Sequence, residues 1–302
     1  MGIKVFAPAS IGNIGIGFDI LGMAIDRPGD EIIARRSNSP GLRISQITGH
    51  GGKLPYEIEK NTAGVAALRL LEYLGETGLG IELEIRKKMP LGSGLGSSAA
   101  SAVAAVLAVS ELLRTGLDKR ALLPFACQGE QVASGGFHAD NVAPSLLGGI
   151  VLIRDNATLD GHRLHAPRGM HAAIVYPHMK VLTKEARALL KPDVPLGAYV
   201  RQSANVAGFI VACFNGDLEL LGRCLNDEII EPQRAGLITG FYDVKDAALA
   251  EGALGCSISG AGPSVFALCA NSLIAENAGQ AMQRAFAKNG VESDVYLSGV
   301  NQ

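Results

Sequence analysis

The segment PLGSGLGSSAAS, residues 90–101, constrains the fold more than any other part of the sequence. It follows an alternating stretch at 81–90 that predicts a strand, and an apolar run that predicts a helix begins at about Ser98. Such a loop brings backbone N–H groups and the positive end of a helix dipole to one point, and glycine lets the backbone approach a bulky anion. The pattern predicts an anion site, most naturally for phosphate, at residues 92–98.

Two familiar phosphate loops do not match this segment. A P-loop would need a lysine at position 97, and the dinucleotide fingerprint would need a third glycine there, but the residue is Ser97. Ser97 and Ser98 stand at the predicted helix start, where one hydroxyl can cap the helix and the other can face the ligand or its metal. A glycine-rich loop with a purely structural role is the ordinary alternative.

Length and element order predict the architecture. The chain has 302 residues, which is long for one core and suits two modest domains. We place the division in the polar, turn-rich segment 155–169, giving domains over 1–160 and 161–302. Strands and helices mix without strict alternation, which predicts an α+β fold rather than a doubly wound sheet. We expect residues 31–36 and 42–47 to pair across a turn, and a helix over 61–75.

The composition argues against several classes of binding partner. The net charge is −2 and no basic run exceeds two residues, so neither nucleic acid nor a membrane surface is supported as a partner. No signal peptide is visible, and the longest apolar stretch, 99–109, is too short to span a bilayer. The five cysteines include no CxxC pair, which predicts buried free thiols in a reducing compartment. We therefore expect a soluble, cytoplasmic protein.

Three segments together resemble one enzyme family. Residues 90–101 resemble the PxxxGLGSSAA signature of the GHMP kinases, which include galacto-, homoserine, mevalonate and phosphomevalonate kinases. APASIGNIGIGFDILGMAID at 7–26 and SISGAGPSVFAL at 257–268 are similar to the family's N-terminal motif and C-terminal glycine motif. The resemblance spans nearly the whole chain. It implies a first domain like the second domain of ribosomal protein S5, a ferredoxin-like second domain, ATP between them, and a possible homodimer.

Four further stretches resemble the homoserine-kinase branch of the family. They are the Asn13/Asp19 pair, FHADNVAPSLLGG at 137–149, VLTKEARALL at 181–190 and EPQR at 231–234. This branch transfers a phosphoryl group from ATP to the hydroxyl of L-homoserine, in threonine biosynthesis. Another small-alcohol kinase, such as an archaeal-type shikimate kinase or a mevalonate kinase, is the nearest alternative. A catalytically inactive relative that senses a metabolite is the alternative of a different class.

The chemistry of homoserine suggests a role for each candidate residue. Its carboxylate suits arginine, whose planar guanidinium matches a carboxylate in a bidentate way, and its ammonium needs a carboxylate partner. Its hydroxyl needs hydrogen-bond partners. Taken singly, each candidate has an ordinary explanation as a surface arginine, a turn residue or a helix cap, and only the joint pattern suggests a site. The substrate candidates are Asn13, Asp19, His138, Asn141, Arg187 and Arg234, and the catalytic candidates are Asp140 and Thr183.

The resemblance also implies a nucleotide site and a magnesium site. Ser98 and Glu130 match the family's metal-contacting positions, and Asp140 stands where mevalonate-type relatives carry a proposed base, so it either removes a proton or only orients substrate. Asn61 matches a nucleotide-contacting asparagine and is equally explained as the cap of its helix. The other residues expected to contact ATP are Pro90, Leu91, Gly92, Ser93, Gly94, Leu95, Gly96, Ser97, Ser98, Ala99 and Ala100.

Overall fold

The structure, a computed structural model, describes residues 2–300 and contains two β-sheets. The strands of the first sheet are β1 (Gly2–Gly12), β2 (Leu21–Arg36), β3 (Leu42–Thr48), β4 (Ile81–Arg86), β5 (Ile150–Asp155) and β6 (Asp160–Leu164). The strands of the second sheet are β7 (His171–Pro177), β8 (Gly255–Ile258), β9 (Val265–Cys269) and β10 (Ser293–Gly299). The predicted α+β class is confirmed.

Helices cover much of the remaining chain. They are α1 (Thr62–Leu74), α2 (Ser97–Leu113), α3 (Lys119–Ser134), α4 (Val142–Leu147), α5 (Thr183–Ala188), α6 (Leu196–Asn215), α7 (Leu218–Cys224), α8 (Glu231–Arg234), α9 (Phe241–Ala250) and α10 (Ser272–Lys288). The helix predicted over 61–75 is confirmed, with Asn61 as its N-cap and Gly75 in the left-handed conformation at its end. The sequence analysis missed α4 and α8, which are too short to show a helical period. All five cysteines are buried free thiols, as predicted.

The first sheet has the strand order β3-β4-β2-β5-β6, with β1 paired to β2. The predicted pairing of 31–36 with 42–47 is wrong, because β4 lies between these strands, antiparallel to β2 and parallel to β3. The burial pattern explains this order. β4 buries Ile81, Leu83 and Ile85 as a central strand, whereas β3 is mostly exposed, with only Ile44 and Ile47 buried, and suits an edge.

The second sheet is antiparallel with the order β10-β7-β9-β8. Helices separate β7 from β8, β9 follows β8 directly, and α10 leads to β10. This β-α-β-β-α-β chain order is the ferredoxin-like arrangement that was expected. The two sheets meet where the Ser298 hydroxyl accepts hydrogen bonds from the backbone N–H groups of Asp26 and Arg27, at 2.8 and 3.2 Å.

The segment between the sheets is more ordered than its composition suggested. Residues 155–169 were expected to be a polar linker, but β6 forms within them and pairs antiparallel with β5. The residues of β6 are polar and partly exposed, as suits a sheet edge. The strand was not predicted because these residues lack an apolar alternation. The chain then crosses to the second sheet within 165–170. The domain division at residue 160 stays a prediction. Among residues 2–300, no helix is both long and apolar enough to cross a bilayer.

A buried ion pair anchors the start of α2 to the first sheet. Asp30 on β2 is fully buried and pairs with the Lys87 ammonium, which also donates to the Ser97 carbonyl at 2.8 Å and the Ser101 hydroxyl at 2.7 Å. Burial lowers the pKa of Lys87, and the charge of Asp30 opposes that effect. The Asp30 carboxylate accepts further hydrogen bonds from the backbone N–H groups of Lys88 and Met89 and from the hydroxyls of Ser97 and Ser101.

Removing one member of this pair should destabilise the fold strongly. We expect Asp30→Ala to lower the free energy of unfolding by about 3–5 kcal/mol, because it leaves the Lys87 ammonium buried without its carboxylate. Urea denaturation at neutral pH measures the effect. The matched control is Glu57→Ala, which breaks the exposed Glu57–Lys60 pair and should leave the midpoint unchanged. Equal midpoints for the two variants would contradict the anchoring role of Asp30.

Candidate active site

A cavity of about 620 Å³ lies between the two halves of the molecule, and segments distant in sequence converge on it. The glycine-rich loop at 91–98, the turn at 13–19 and the loop at 260–262 supply much of its wall. Every predicted substrate, catalytic and metal residue lines this one cavity, as does Asn61. They are Asn13, Asp19, Ser98, Glu130, His138, Asp140, Asn141, Thr183, Arg187 and Arg234. Their individual roles stay predictions.

The glycines of the loop are required by its geometry. Gly92, Gly94 and Gly96 have φ values of 66°, 81° and 64°, in the left-handed region that glycine adopts most readily. A Cβ on Gly94 would lie 2.6 Å from the Ser259 carbonyl oxygen, and one on Gly96 would lie 2.1 Å from the Ser10 hydroxyl. Gly96 is the N-cap of α2, and no side chain caps this helix. Neither Ser97 nor Ser98 therefore acts as the cap, and the first turn of α2 faces the cavity.

The residues of the loop differ in how they can reach a ligand. The side chains of Leu95, Ala99 and Ala100 are buried in the core, so these three residues can contribute only through their backbone. Pro90 does not line the cavity and has no N–H to donate. Ser93 lines the cavity with a buried hydroxyl that has no hydrogen-bond partner within the described part of the chain. Such a hydroxyl is suited to bonding a ligand, because a buried unpaired donor is otherwise costly.

Ser98 and Glu130 form an oxygen pair on the cavity wall. The Ser98 hydroxyl donates to Oε1 of Glu130 at 2.8 Å. Burial raises the pKa of Glu130 to about 7, against the opposing effect of this hydrogen bond. Within residues 2–300, no cluster of three or more His, Cys, Asp or Glu side chains could hold a metal. The pair nonetheless fits Mg²⁺, which takes few protein oxygens when phosphate and water supply the rest.

The turn at 13–19 is backbone-strained and tied to the rest of the molecule. Asn13, Ile14 and Asp19 have φ values of 67°, 47° and 60°, and a positive φ is a rare outlier for a β-branched residue such as Ile14. The Asn13 amide nitrogen donates to the Gly260 carbonyl at 3.1 Å, and the Gln202 side chain donates to the Ile16 carbonyl at 2.7 Å. Backbone strain that surrounding contacts maintain in this way is typical of a functional site.

Two arginines reach the same region with different partners. Arg187 forms a bidentate pair with Asp19, with N–O distances of 3.0 and 2.9 Å, and this hydrogen bonding raises the pKa of Arg187. Arg234 is 3% exposed and donates only to the carbonyls of Ala186 and Gly260, at 3.2 and 3.3 Å. Burial, followed by the charge of Arg187, lowers the pKa of Arg234. Arg234 has no salt-bridge partner within residues 2–300, so it is suited to a ligand carboxylate.

Asp140 is the most perturbed aspartate of the cavity. Burial, followed by the negative charge of Asp19, raises the pKa of Asp140 to about 7. The Asn141 amide donates to Oδ2 of Asp140 at 3.1 Å, and its oxygen accepts from the Ser10 hydroxyl at 2.9 Å. His138 Nδ1 lies 3.6 Å from Oδ2 of Asp19. Thr183 is exposed and begins α5 at the cavity wall.

The side chain of Asn61 caps the N-terminus of helix α1. Its side-chain oxygen accepts from the backbone N–H groups of Ala63 and Gly64 at 3.1 and 3.3 Å, and its nitrogen donates to the Pro55 carbonyl at 2.9 Å. The helix-cap interpretation is therefore confirmed. Contact with a nucleotide stays a prediction, because Asn61 also lines the cavity.

The sequence analysis missed several residues of the cavity wall. Phe18 lies within the N-terminal motif next to Asp19, and Lys87 precedes the glycine-rich loop by only a few residues. Gly260, Ala261 and Gly262 belong to the C-terminal glycine motif. Their place inside the motifs was a usable signal for Phe18, Gly260, Ala261 and Gly262, whereas Lys87 lies outside them. What the sequence lacked was evidence that the turn at 259–262 contacts the glycine-rich loop, where the Ser259 hydroxyl donates to the Gly94 carbonyl at 2.7 Å.

Comparison with known proteins now decides the family. The family model "GHMP kinases N terminal domain" matches residues 61–149, and "GHMP kinases C terminal" matches residues 209–288. This chain belongs to the GHMP kinase family. The kinase is 46% identical to a homoserine kinase of Chlorobium phaeobacteroides, over 98% of this chain and 96% of that protein. It is 43% identical to a homoserine kinase of Xanthomonas campestris, over 99% and 91% of the two chains.

Solved structures agree with this assignment. A homoserine kinase from Cytophaga hutchinsonii superimposes on the kinase with a TM-score of 0.97 at 51% identity, covering 100% of this chain and 95% of that one. An L. major mevalonate kinase solved in complex with R-mevalonate superimposes with a TM-score of 0.74 at 19% identity, covering 98% of this chain and 96% of that one. At that identity the second match supports the shared fold alone.

The raised pKa of Asp140 has a consequence for stability. An unfolded aspartate titrates near ~4, so between about pH 4 and 7 the native state keeps a proton that the unfolded chain releases. Stability therefore falls as pH rises through that range. Asp140→Asn cannot titrate, so its stability relative to wild type should increase between about pH 4.5 and 7.5, as measured by urea denaturation. A difference between the two proteins that does not change with pH would contradict the buried, protonated carboxyl.

Proposed function

We propose that this kinase transfers the γ-phosphoryl group of ATP to the hydroxyl of L-homoserine, forming O-phospho-L-homoserine and ADP. It does so as a cytoplasmic, Mg²⁺-dependent enzyme of threonine biosynthesis. The observation that carries the proposal is the charge arrangement of the cavity. Buried Arg234 forms no salt bridge with the carboxylates of residues 2–300 and lies near Asp19 and Asp140. The names of the relatives, homoserine kinase at 43–46% identity, support the same substrate.

Each charge of homoserine has a suitable partner in the cavity. The substrate carboxylate binds Arg234, with Arg187 beside it, because a guanidinium fork matches a carboxylate. The ammonium binds Asp19 or Asp140, whose mutual repulsion is relieved when a cation arrives between them. Asn13, His138, Asn141 and Thr183 surround the remaining space and can orient the hydroxyl. An uncharged sugar would offer no carboxylate to the buried guanidinium of Arg234.

The nucleotide lies on the opposite side of the cavity. Its phosphates contact the backbone N–H groups of residues 92–98 and the open first turn of α2, where the helix dipole favours negative charge. Ser98 and Glu130 would hold Mg²⁺, which would neutralise charge between the β- and γ-phosphates. The hydroxyl of Ser93 donates to the phosphate tail. Gly94 and Gly96 are needed for the loop to take this shape, since a side chain at either position would collide with Ser259 or Ser10.

Asp140 is suited to accept the proton of the substrate hydroxyl. The pKa of Asp140 is about 7. A general base with a pKa near neutral pH is partly unprotonated there and is still basic enough to accept a proton. Phosphoryl transfer passes through a loose transition state, so holding the hydroxyl in line with the γ-phosphate contributes most of the rate. Asp140 therefore orients the nucleophile and then receives its proton as the O–P bond forms.

The substrate is tested by measuring ADP release with homoserine, shikimate, mevalonate and galactose as acceptors. We expect homoserine to give the highest kcat/KM by at least about 10³-fold, because the alternatives leave buried charged groups unpaired. Shikimate isolates the contribution of the amine, which it lacks. A higher kcat/KM for shikimate or mevalonate than for homoserine would overturn the substrate assignment but would not affect the assignment to the GHMP kinase family.

The role of Asp140 is tested by Asp140→Asn, which keeps the shape and removes the basic carboxylate. We expect kcat to fall by about 10²–10⁴-fold while the KM for homoserine changes little, since a general base contributes about that much to the rate. The fall in wild-type kcat below about pH 7 should also become shallower in the variant, because Glu130 then remains to titrate there without Asp140. A loss of only about tenfold in kcat, some ~1.4 kcal/mol, would mean that Asp140 orients substrate without removing a proton.

A further inference from the structure

The ring of Phe18 lies against both arginines of the substrate side. The Cζ atoms of Arg187 and Arg234 are each 5.0 Å from the centroid of this ring. The two guanidinium groups can therefore be no farther apart than twice that distance. Phe18 is partly buried and lines the same cavity as the two arginines.

Hydrogen bonds on both sides of Phe18 fix its place in the turn. The Gly17 N–H donates to the Asn13 carbonyl at 2.8 Å, and the Asp19 N–H donates to the Asn13 side-chain oxygen at 2.9 Å. The Asn156 side chain donates to the Asp19 carbonyl at 3.0 Å. These hydrogen bonds hold the backbone of Phe18, and so the point from which its side chain extends, in place beside the two arginines.

A residue that holds both arginines must attract their positive charges without carrying a negative charge of its own. The two guanidinium groups repel each other. Arg187 is paired with Asp19, whereas no carboxylate among residues 2–300 forms a salt bridge with Arg234. A carboxylate beside Arg234 would stabilise it but would also compete with an incoming ligand carboxylate. The face of an aromatic ring attracts a guanidinium through its quadrupole and carries no net charge. It therefore stabilises the charge of Arg234 and leaves it available to a ligand.

We propose that Phe18 is a positioning residue that holds Arg187 and Arg234 together on the α-carboxylate of the substrate while leaving Arg234 unneutralised. Phe18 acts through the two guanidinium groups, and need not touch the reacting hydroxyl or the phosphates. It favours acceptors that carry a carboxylate over simple alcohols. This inference rests on the proposed homoserine site.

The first test is a pair of substitutions at Phe18. We expect Phe18→Leu to raise the KM for homoserine about tenfold, the effect of losing two cation–π contacts in a partly desolvated site. The kcat and the KM for ATP should stay within about twofold, because the proposed role of Phe18 concerns only the substrate carboxylate. Phe18→Tyr keeps the ring face and should keep the KM for homoserine within about twofold of wild type. Phe6→Leu, on β1 and outside the cavity, is the matched control.

A double-mutant cycle separates action through the arginines from simple packing. In an Arg187→Met background one guanidinium remains on the ring, so Phe18→Leu should lower kcat/KM for homoserine only about threefold instead of about tenfold. Thermal unfolding confirms that each variant is folded, and Phe18→Met replaces Phe18→Leu if the latter is not.

The possible outcomes separate this inference from the proposed function. The inference is overturned if Phe18→Leu leaves the KM for homoserine unchanged, if tyrosine performs no better than leucine, or if the loss is equal in both backgrounds. A wild-type protein that does not phosphorylate homoserine would instead overturn the proposed function. If the wild type is active and Phe18→Leu has the same KM for homoserine, only the role of Phe18 is overturned.

Discussion

The strained turn at 13–19 is the constraint on which the substrate side of the cavity depends. Its positive φ values at Asn13, Ile14 and Asp19 are unfavourable, and they persist because contacts from both halves of the molecule hold the turn. Gln202 of α6 and the Gly260 loop hold it from the second half, and β2 continues from it into the first sheet. The turn thereby presents Asn13, Phe18 and Asp19 to the arginines in one arrangement.

Strand β2 connects this turn to the nucleotide side. At its start, Gly22 lies so close to Asp140 that a Cβ would come within 1.7 Å of the Asp140 carbonyl oxygen. Further along, Asp30 binds Lys87 and Ser97 and so fixes the start of α2. One strand thus sets the position of Asp140 and of the helix terminus at which we propose that the phosphates bind. In the proposed complex, this shared support keeps the substrate hydroxyl and the γ-phosphate in line.

The sequence could predict the features that depend on local pattern. The glycine-rich loop, the strand that precedes it and the capped helix α1 follow from short stretches of chain, and the resemblance carried by the three motifs implied an ATP site between the domains. The pairing of β2 with β4 could not be predicted, because it is set by which strand buries more apolar surface. The Asp30–Lys87 pair joins residues 57 positions apart, and neither Phe18 nor Gln202 carries a local signal of the contacts it makes.

The most direct test of this account is a crystal structure with homoserine and a non-hydrolysable ATP analogue bound together. We expect the γ-phosphate against the backbone N–H groups of residues 92–98, and the homoserine carboxylate within hydrogen-bonding distance of Arg234. The homoserine hydroxyl should lie between Asp140 and the γ-phosphate. A nucleotide bound elsewhere, or a carboxylate turned away from Arg234, would contradict the account.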